Sequence, residues 1–393
     1  MLFDPTRHEP LSTTAWHEAR VLDAIRAIAR DTEHAHLGQG RWPVHPRDDD
    51  GDTPADGAFK SLYLGSAGVW WALWALQRAG AIELALDSAA GIEASAAAYA
   101  TAPDTGEAVP SYFLGSVGIE LVRWRITGSA AAADAVFTAT EANIANPTNE
   151  ALWAAPGTMV AAWRLLQATG EARWRRLWEA NVQQLWRTWL WDESAQCHLW
   201  TQDMYRQVTQ YLGAGHGFVG NVYALLLQGT PSAELVARTE AVLQRFAITH
   251  EGAVNWPPLP GAQKMLMQWC HGAPGFVTAL AGLPPGRSAV IDRLLLAAGE
   301  AVWRAGPLTK GPGLCHGTAG NGYTFLVLHR RTGDARWLDR ARAFAMHAIG
   351  QCEAARAVHG RGRYTLWTGD LGVAMFLWHC QQGGGGLPAL DSL

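Results

Sequence analysis

A short element, Gly-x-x-Gly before an apolar run, recurs along this chain and limits what it can fold into. Its copies are Gly65-Ser66-Ala67-Gly68, Gly115-Ser116-Val117-Gly118, Gly217-Phe218-Val219-Gly220, Gly272-Ala273-Pro274-Gly275, Gly317-Thr318-Ala319-Gly320 and Gly369-Asp370-Leu371-Gly372, with a degenerate seventh at Ala154-Ala155-Pro156-Gly157. Successive last glycines lie 50, 39, 63, 55, 45 and 52 residues apart, room for two helices and a loop at each step. The run after each copy is apolar on nearly every side, as in VWWALWAL from Val69 and GVAMFLW from Gly372, the mark of a buried helix. The segments between, such as ARWRRLWEANVQQLWRTWLW from Ala172 and DARWLDRARAFAMHAI from Asp334, keep helical periodicity with one charged face. Period-two alternation is scarce, so strands should be few. Seven alternating inner and outer helices predict an all-α fold, an α/α toroid of seven helical hairpins with the glycines gathered at one rim.

The toroid is expected to take residues 1–382 as one domain, with an outer helix near Trp16 to Arg30. Residues 38–59, where Pro, Asp and Gly concentrate, read as a surface loop, and 383–393, beginning with four glycines, as a flexible C-terminal tail. Only 17% of the 393 residues are charged, the net charge is −4, and Lys and Arg are scattered, so nucleic acid is not an expected partner. No apolar run reaches the roughly 20 residues that span a bilayer, and the opening MLFDPTRHEP lacks the basic-then-apolar order of an export signal. Five Cys in so long a chain fit a reducing, cytoplasmic setting better than a disulfide framework.

Two copies of the element are preceded by metal-type ligands, in Trp269-Cys270-His271-Gly272 and Leu314-Cys315-His316-Gly317. Catalytic zinc takes three protein ligands and keeps a fourth position open. Cys270, Cys315 and His316 would supply such a set, one Zn2+ per chain, with His271 as a neighbour. A buried Cys is often only a small apolar residue, yet the pairing recurs before the same structural element. Cys197, Cys352 and Cys380 have no comparable setting.

WCHGAPG from Trp269, GLCHGTAGNGY from Gly313 and the element Gly215-His216-Gly217-Phe218-Val219-Gly220 resemble the hallmark motifs of lanthionine synthetase C-like proteins, the lantibiotic cyclases and their eukaryotic relatives, over about Gly65 to Trp378. The resemblance implies the toroid and zinc on Cys270, Cys315 and His316. It implies a catalytic histidine at His216 and a partner carboxylate at Glu150, where lantibiotic cyclases carry Asp. Those cyclases often place Tyr after the first zinc Cys and Arg four residues before it; here the positions hold His271 and Leu266. These departures resemble the eukaryotic-like branch, which is associated with glutathione, and in that branch a Lys five residues before the second zinc Cys, here Lys310, is linked to the thiol substrate. His271 is a second candidate for that contact.

The reaction so implied is conjugate addition of a thiol, glutathione or a peptide Cys, to dehydroalanine or dehydrobutyrine in a peptide or protein. A free thiol is only a few per cent thiolate at neutral pH. A zinc site with two thiolates and one imidazole is formally neutral and leaves an added sulfur nucleophilic. Near neutrality, His is the side chain best poised to protonate the resulting enolate, and Glu150 would orient it or, on the plainer reading, act as a charge at a helix start. Two other readings stay open from the sequence: a zinc-containing glutathione-binding or scaffold protein without turnover, and a carbohydrate-active toroid enzyme, which would use paired acids instead.

Overall fold

The computed structural model describes every residue except 50, 52, 53 and 55, which fall inside the 38–59 loop. Among the described residues, seven helices begin at the glycine elements: α2 (Ser66–Arg78), α4 (Ser116–Thr127), α6 (Ala155–Thr169), α8 (Phe218–Leu226), α10 (Ala273–Ala279), α12 (Thr318–Thr332) and α14 (Asp370–Gln381). Seven more alternate with them: α1 (Glu18–His34), α3 (Ser88–Thr101), α5 (Ala130–Ala142), α7 (Ala172–Thr188), α9 (Ala233–Phe246), α11 (Ala289–Ala305) and α13 (Ala335–His359). Each inner helix packs on the next, and α14 returns to α2, which closes the ring. The first outer helix, α1, packs on α14 and so joins the two ends of the chain. Three small antiparallel hairpins interrupt the helices: β1 (Leu190–Asp192) with β2 (Cys197–Leu199), β3 (Gln202–Met204) with β4 (Gln207–Thr209), and β5 (Ile248–His250) with β6 (Ala253–Asn255). The first two account for the longest step between glycine elements. No helix among the described residues is long and apolar enough to cross a membrane.

The glycine element arises from how the inner helices are capped. The outer helices except α7 use side chains: Asp87 accepts from Ala89 and Ala90 N–H, and Ser129, Ser232, Ser288 and Asp334 act alike on their own first turns. No inner helix is capped by the side chain of its own N-cap residue. At α2, α4, α8, α12 and α14 the rim loop instead doubles back and offers its own carbonyls, seven residues upstream, to the free N–H groups of the first turn, and at α10 the Asn255 side chain accepts from Ala273 N–H at 2.7 Å. Ser66 N–H donates to Phe59 O (3.0 Å), Phe218 N–H to Tyr211 O (2.9 Å) and Ala319 N–H to Pro312 O (2.9 Å). Such a return brings backbone against backbone. A Cβ at Gly320 would fall on the carbonyl oxygen of Leu314, and one at Gly157 on that of Ala151. The second glycine is therefore kept even in the degenerate copy, where Ala154 replaces the first.

Both ends of the chain differ from the sequence expectation. Among the described residues of the 38–59 surface loop, Trp42 is not at the surface: it is buried against Trp70, ring centroids 4.9 Å apart, and donates its indole N–H to Thr32 O at 2.7 Å. The segment after Gln382 is not a free tail either. Leu387, Ala389 and Leu390 are buried, and they reach the bore of the ring, where Leu387 and Leu390 line a small cavity with Val160, Tyr223 and Thr278. Tyr112 O–H donates to Ala389 O, the Arg164 guanidinium to Leu390 O, and Tyr223 O–H to Asp391 Oδ1 at 2.9 Å. The four glycines gave a local signal for flexibility, but burial of the apolar side chains beyond them decides the outcome. Shortening the chain to end at Gln382 is expected to lower unfolding free energy by roughly 3–6 kcal/mol, from the lost burial of two Leu side chains and the orphaned Tyr and Arg groups. Urea unfolding measures it.

Candidate metal and thiol site

The residues two positions before each glycine element form a belt around the rim. Tyr63 N–H donates to Phe113 O (2.9 Å), Trp367 to Tyr63 O (3.4 Å), Cys315 to Trp367 O (2.9 Å), Cys270 to Cys315 O (3.2 Å) and Gly215 to Cys270 O (3.2 Å). The spacing of the two cysteines is thus set by main-chain hydrogen bonds. Beneath them, aromatic rings fill the axis: Trp367 lies 4.6 Å from Trp269, 5.1 Å from Phe113 and 6.1 Å from Tyr63, centroid to centroid. Polar groups on this floor face little water, which strengthens every charge interaction there.

On that floor the ligand atoms of Cys270, Cys315 and His316 lie within 4.8 Å of one another. Both cysteines are buried, and His316 is half-buried. The Cys315 thiol's hydrogen bond holds Cys270 well below the usual thiol range, while burial, and then the Cys270 sulfur, push Cys315 well above it. Gln268 Nε2 donates to Cys270 Sγ at 3.1 Å, and the Tyr63 phenol bonds the Cys315 sulfur.

A second cluster adjoins the first. Glu150, fully buried in the turn before α6, accepts from Leu152 N–H (3.1 Å) and Trp153 N–H (2.6 Å), which fixes its carboxylate. His216 Nδ1 donates to its Oε2 at 3.0 Å, leaving Nε2 for a reactant. Burial alone would lower the His216 pKa; the hydrogen bond and charge of Glu150 outweigh it and raise it above its ordinary value. His271 stacks on His216 at 5.7 Å, and burial lowers its pKa, so this second ring stays neutral. The Nδ1 atom of His271 is buried without a hydrogen-bond partner. Lys310 is exposed, its carbonyl accepts from Arg47 at 3.3 Å, and its charge acts on Cys315.

The structure thus brings Cys270, Cys315 and His316 together, and joins His216 to Glu150 and His271. Sequence reasoning missed Tyr63, Gln268, Tyr205 and Tyr211. The last two place their rings 6.5 and 6.1 Å from that of His216. One signal was available: aligning the seven copies puts Tyr63, Phe113, Leu152, Gly215, Cys270, Cys315 and Trp367 in one column, and Leu64, Leu114, Trp153, His216, His271, His316 and Thr368 in the next. Each column is a layer of the rim. Gln268 lies outside both and carries no such mark.

A family model described as lanthionine synthetase C-like protein matches residues 59–385. Among relatives, the chain is 35% identical over 165 residues to a protein of Danio rerio named glutathione S-transferase LANCL1, covering 39% of this chain and 38% of that one. It is 37% identical over 146 residues to LanC-like protein GCL1 of Arabidopsis thaliana, covering 35% of this chain and 33% of that one. These matches span little more than a third of each relative's length. Among solved structures, nisin cyclase superposes with a TM-score of 0.62 at 14% identity, over 91% of this chain and 93% of that one, which shows a shared toroid fold.

Proposed function

The chain belongs to the lanthionine synthetase C-like family, and on that footing we propose that it is a zinc-dependent enzyme that joins a thiol to the β-carbon of dehydroalanine or dehydrobutyrine. The observation that carries this reading is the meeting of two buried thiols and an imidazole within 4.8 Å, beside a histidine held by a buried carboxylate. The donor set fits the metal. Tetrahedral zinc separates its sulfur and nitrogen donors by roughly 3.5–4 Å, close to the 4.8 Å within which these atoms lie. A dication there would also let both buried sulfurs ionise. Bound there by Cys270, Cys315 and His316, zinc would supply an open position that favours the thiolate form of an incoming thiol.

The chain's own residues do the rest. Hydrogen bonds from Gln268 and Tyr63 spread charge off the two cysteine sulfurs and fix their orientation. His216, protonated at Nε2, is placed to give a proton to the α-carbon after attack, and Glu150 orients the ring and favours its charged form. Neutral His271 and the exposed Lys310 ammonium are assigned to the thiol substrate, Lys310 toward a carboxylate such as those of glutathione. The name of the zebrafish relative supports glutathione as the thiol. All five cysteines are free, which supports a reducing, cytoplasmic setting.

Zinc-loaded protein, glutathione and a dehydroalanine peptide are expected to yield the thioether adduct by mass spectrometry. Glutathione binding without adduct would instead mark a binding protein. His216→Asn should lower kcat by roughly 10²–10⁴-fold with zinc content unchanged. Because His216 must be protonated, activity should fall as pH rises through its raised pKa. Glu150→Gln removes the group that raises it, so the fall should begin at lower pH; a pH–rate profile with an unmoved alkaline limb would contradict the assignment.

A further inference from the structure

We propose that Tyr205, at the tip of the β3–β4 hairpin, donates the hydrogen bond that stabilises the enolate oxygen formed on the dehydroamino acid. The inference rests on the thioether-forming reading above. Two independent features point to it. The first is backbone conformation: Met204 pairs with Gln207, so Tyr205 and Arg206 alone make the turn, with φ of 53° and 60°. Two-residue turns of this kind favour Asn-Gly, and bulky side chains in the left-handed region carry a backbone cost. A tyrosine kept there has a use for its side chain.

The second feature is where the phenol lies. Its oxygen accepts the Trp153 indole N–H at 2.9 Å, so one lone pair is engaged while the O–H hydrogen remains free to donate. The Trp153 main-chain N–H is bound by Glu150, so the hairpin tip is tied to the same turn that orients His216. Tyr205 is 64% exposed, and with Trp153, Leu64 and Leu114 it walls a cleft of about 830 Å³. Leu64, Leu114 and Trp153 occupy the rim column that elsewhere supplies His216, His271 and His316, so cleft and proton donor share one level of the ring. The His216 ring lies 6.5 Å from that of Tyr205, just beyond the cleft lining, so a dehydroamino acid bound against the phenol lies beside the proton donor.

The chemistry balances in atoms and charge. The thiol first gives its proton to solvent and reacts as the thiolate; a sulfur lone pair then forms the S–C bond at the β-carbon, the alkene pair moves toward the carbonyl, and negative charge collects on its oxygen. Tyr205 O–H hydrogen-bonds that oxygen and keeps its proton, since burial holds the phenol above its ordinary range. His216 then gives its proton to the α-carbon, the carbonyl re-forms, and solvent returns a proton to His216.

Three variants test this: Tyr205→Phe, Tyr211→Phe, and the double change Tyr205→Asn with Arg206→Gly. Tyr205→Phe should lower kcat about tenfold to a hundredfold, with KM for the peptide, zinc content and calorimetric glutathione affinity held. The double variant should show the same loss while resisting urea at least as well as the parent, an outcome a merely structural tyrosine would not give. Wild-type turnover with an unimpaired Tyr205→Phe, or a loss confined to Tyr211→Phe, would overturn the inference and leave the thioether reading standing. Absence of adduct with the wild-type protein would overturn both.

Discussion

Replacing Cys315 with Ala should empty the metal centre and abolish thioether formation together. Zinc content is expected to drop from about one per chain to near zero after dialysis, and turnover by more than about 10³-fold, because the incoming thiol loses the centre that ionises it. The helical fold should survive, since main-chain hydrogen bonds to Trp367 and from Cys270 hold position 315 whatever its side chain. Circular dichroism with metal analysis separates the two effects. Cys380→Ala is the control: its thiol is also buried and its pKa raised by burial, but it lies in α14 away from the rim cluster. That variant should keep its zinc. Equal metal loss in both would mean the ion is held by overall stability and not by a local ligand set.

Gly320→Ala is expected to have the largest effect on the fold. A methyl group there lands on the Leu314 carbonyl oxygen, and both atoms belong to backbone tied into the first turn of α12 and into the belt. Neither can yield without breaking hydrogen bonds next to Cys315. The expected loss is about 4 kcal/mol or more, at the upper end for a single substitution. Gly333→Ala separates collision from conformation. Gly333 has a φ of 71° with open space around it, so only the left-handed backbone is penalised, by about 1 kcal/mol. Comparable losses at the two sites in urea unfolding of metal-free protein would contradict the capping explanation of the glycine element.

These glycines show why the ring was legible in the sequence. Helix count, the inner and outer alternation and the closed ring could be read because every inner helix repeats the same backbone collision, which leaves a glycine at a fixed place in each repeat. That Cys270, Cys315 and His316 would meet was readable for a similar reason: the Cys-His pair recurs at equivalent rim positions. The His216–Glu150 pair was reached only through family resemblance, because its members lie 66 residues apart and share no local pattern. The buried C-terminal segment was misread, since local flexibility of Gly383–Gly386 says nothing about the cavity that receives Leu387 and Leu390. Trp42 was hidden in the same way among Pro and Asp residues. Tyr205 meets Trp153 only through the fold, 52 residues apart, and Gln268 reaches Cys270 two residues on without being a metal-type residue, so no spacing rule marks either.

The proposed chemistry turns on an open position at zinc that a substrate sulfur fills. X-ray absorption at the zinc edge, recorded on the loaded wild-type protein before and after glutathione, reads this directly. Two sulfur scatterers and one imidazole before addition, rising to three sulfurs after it, are expected from the ligand set of Cys270, Cys315 and His316. A first shell with no sulfur, or one that keeps two sulfurs under saturating thiol, would contradict it.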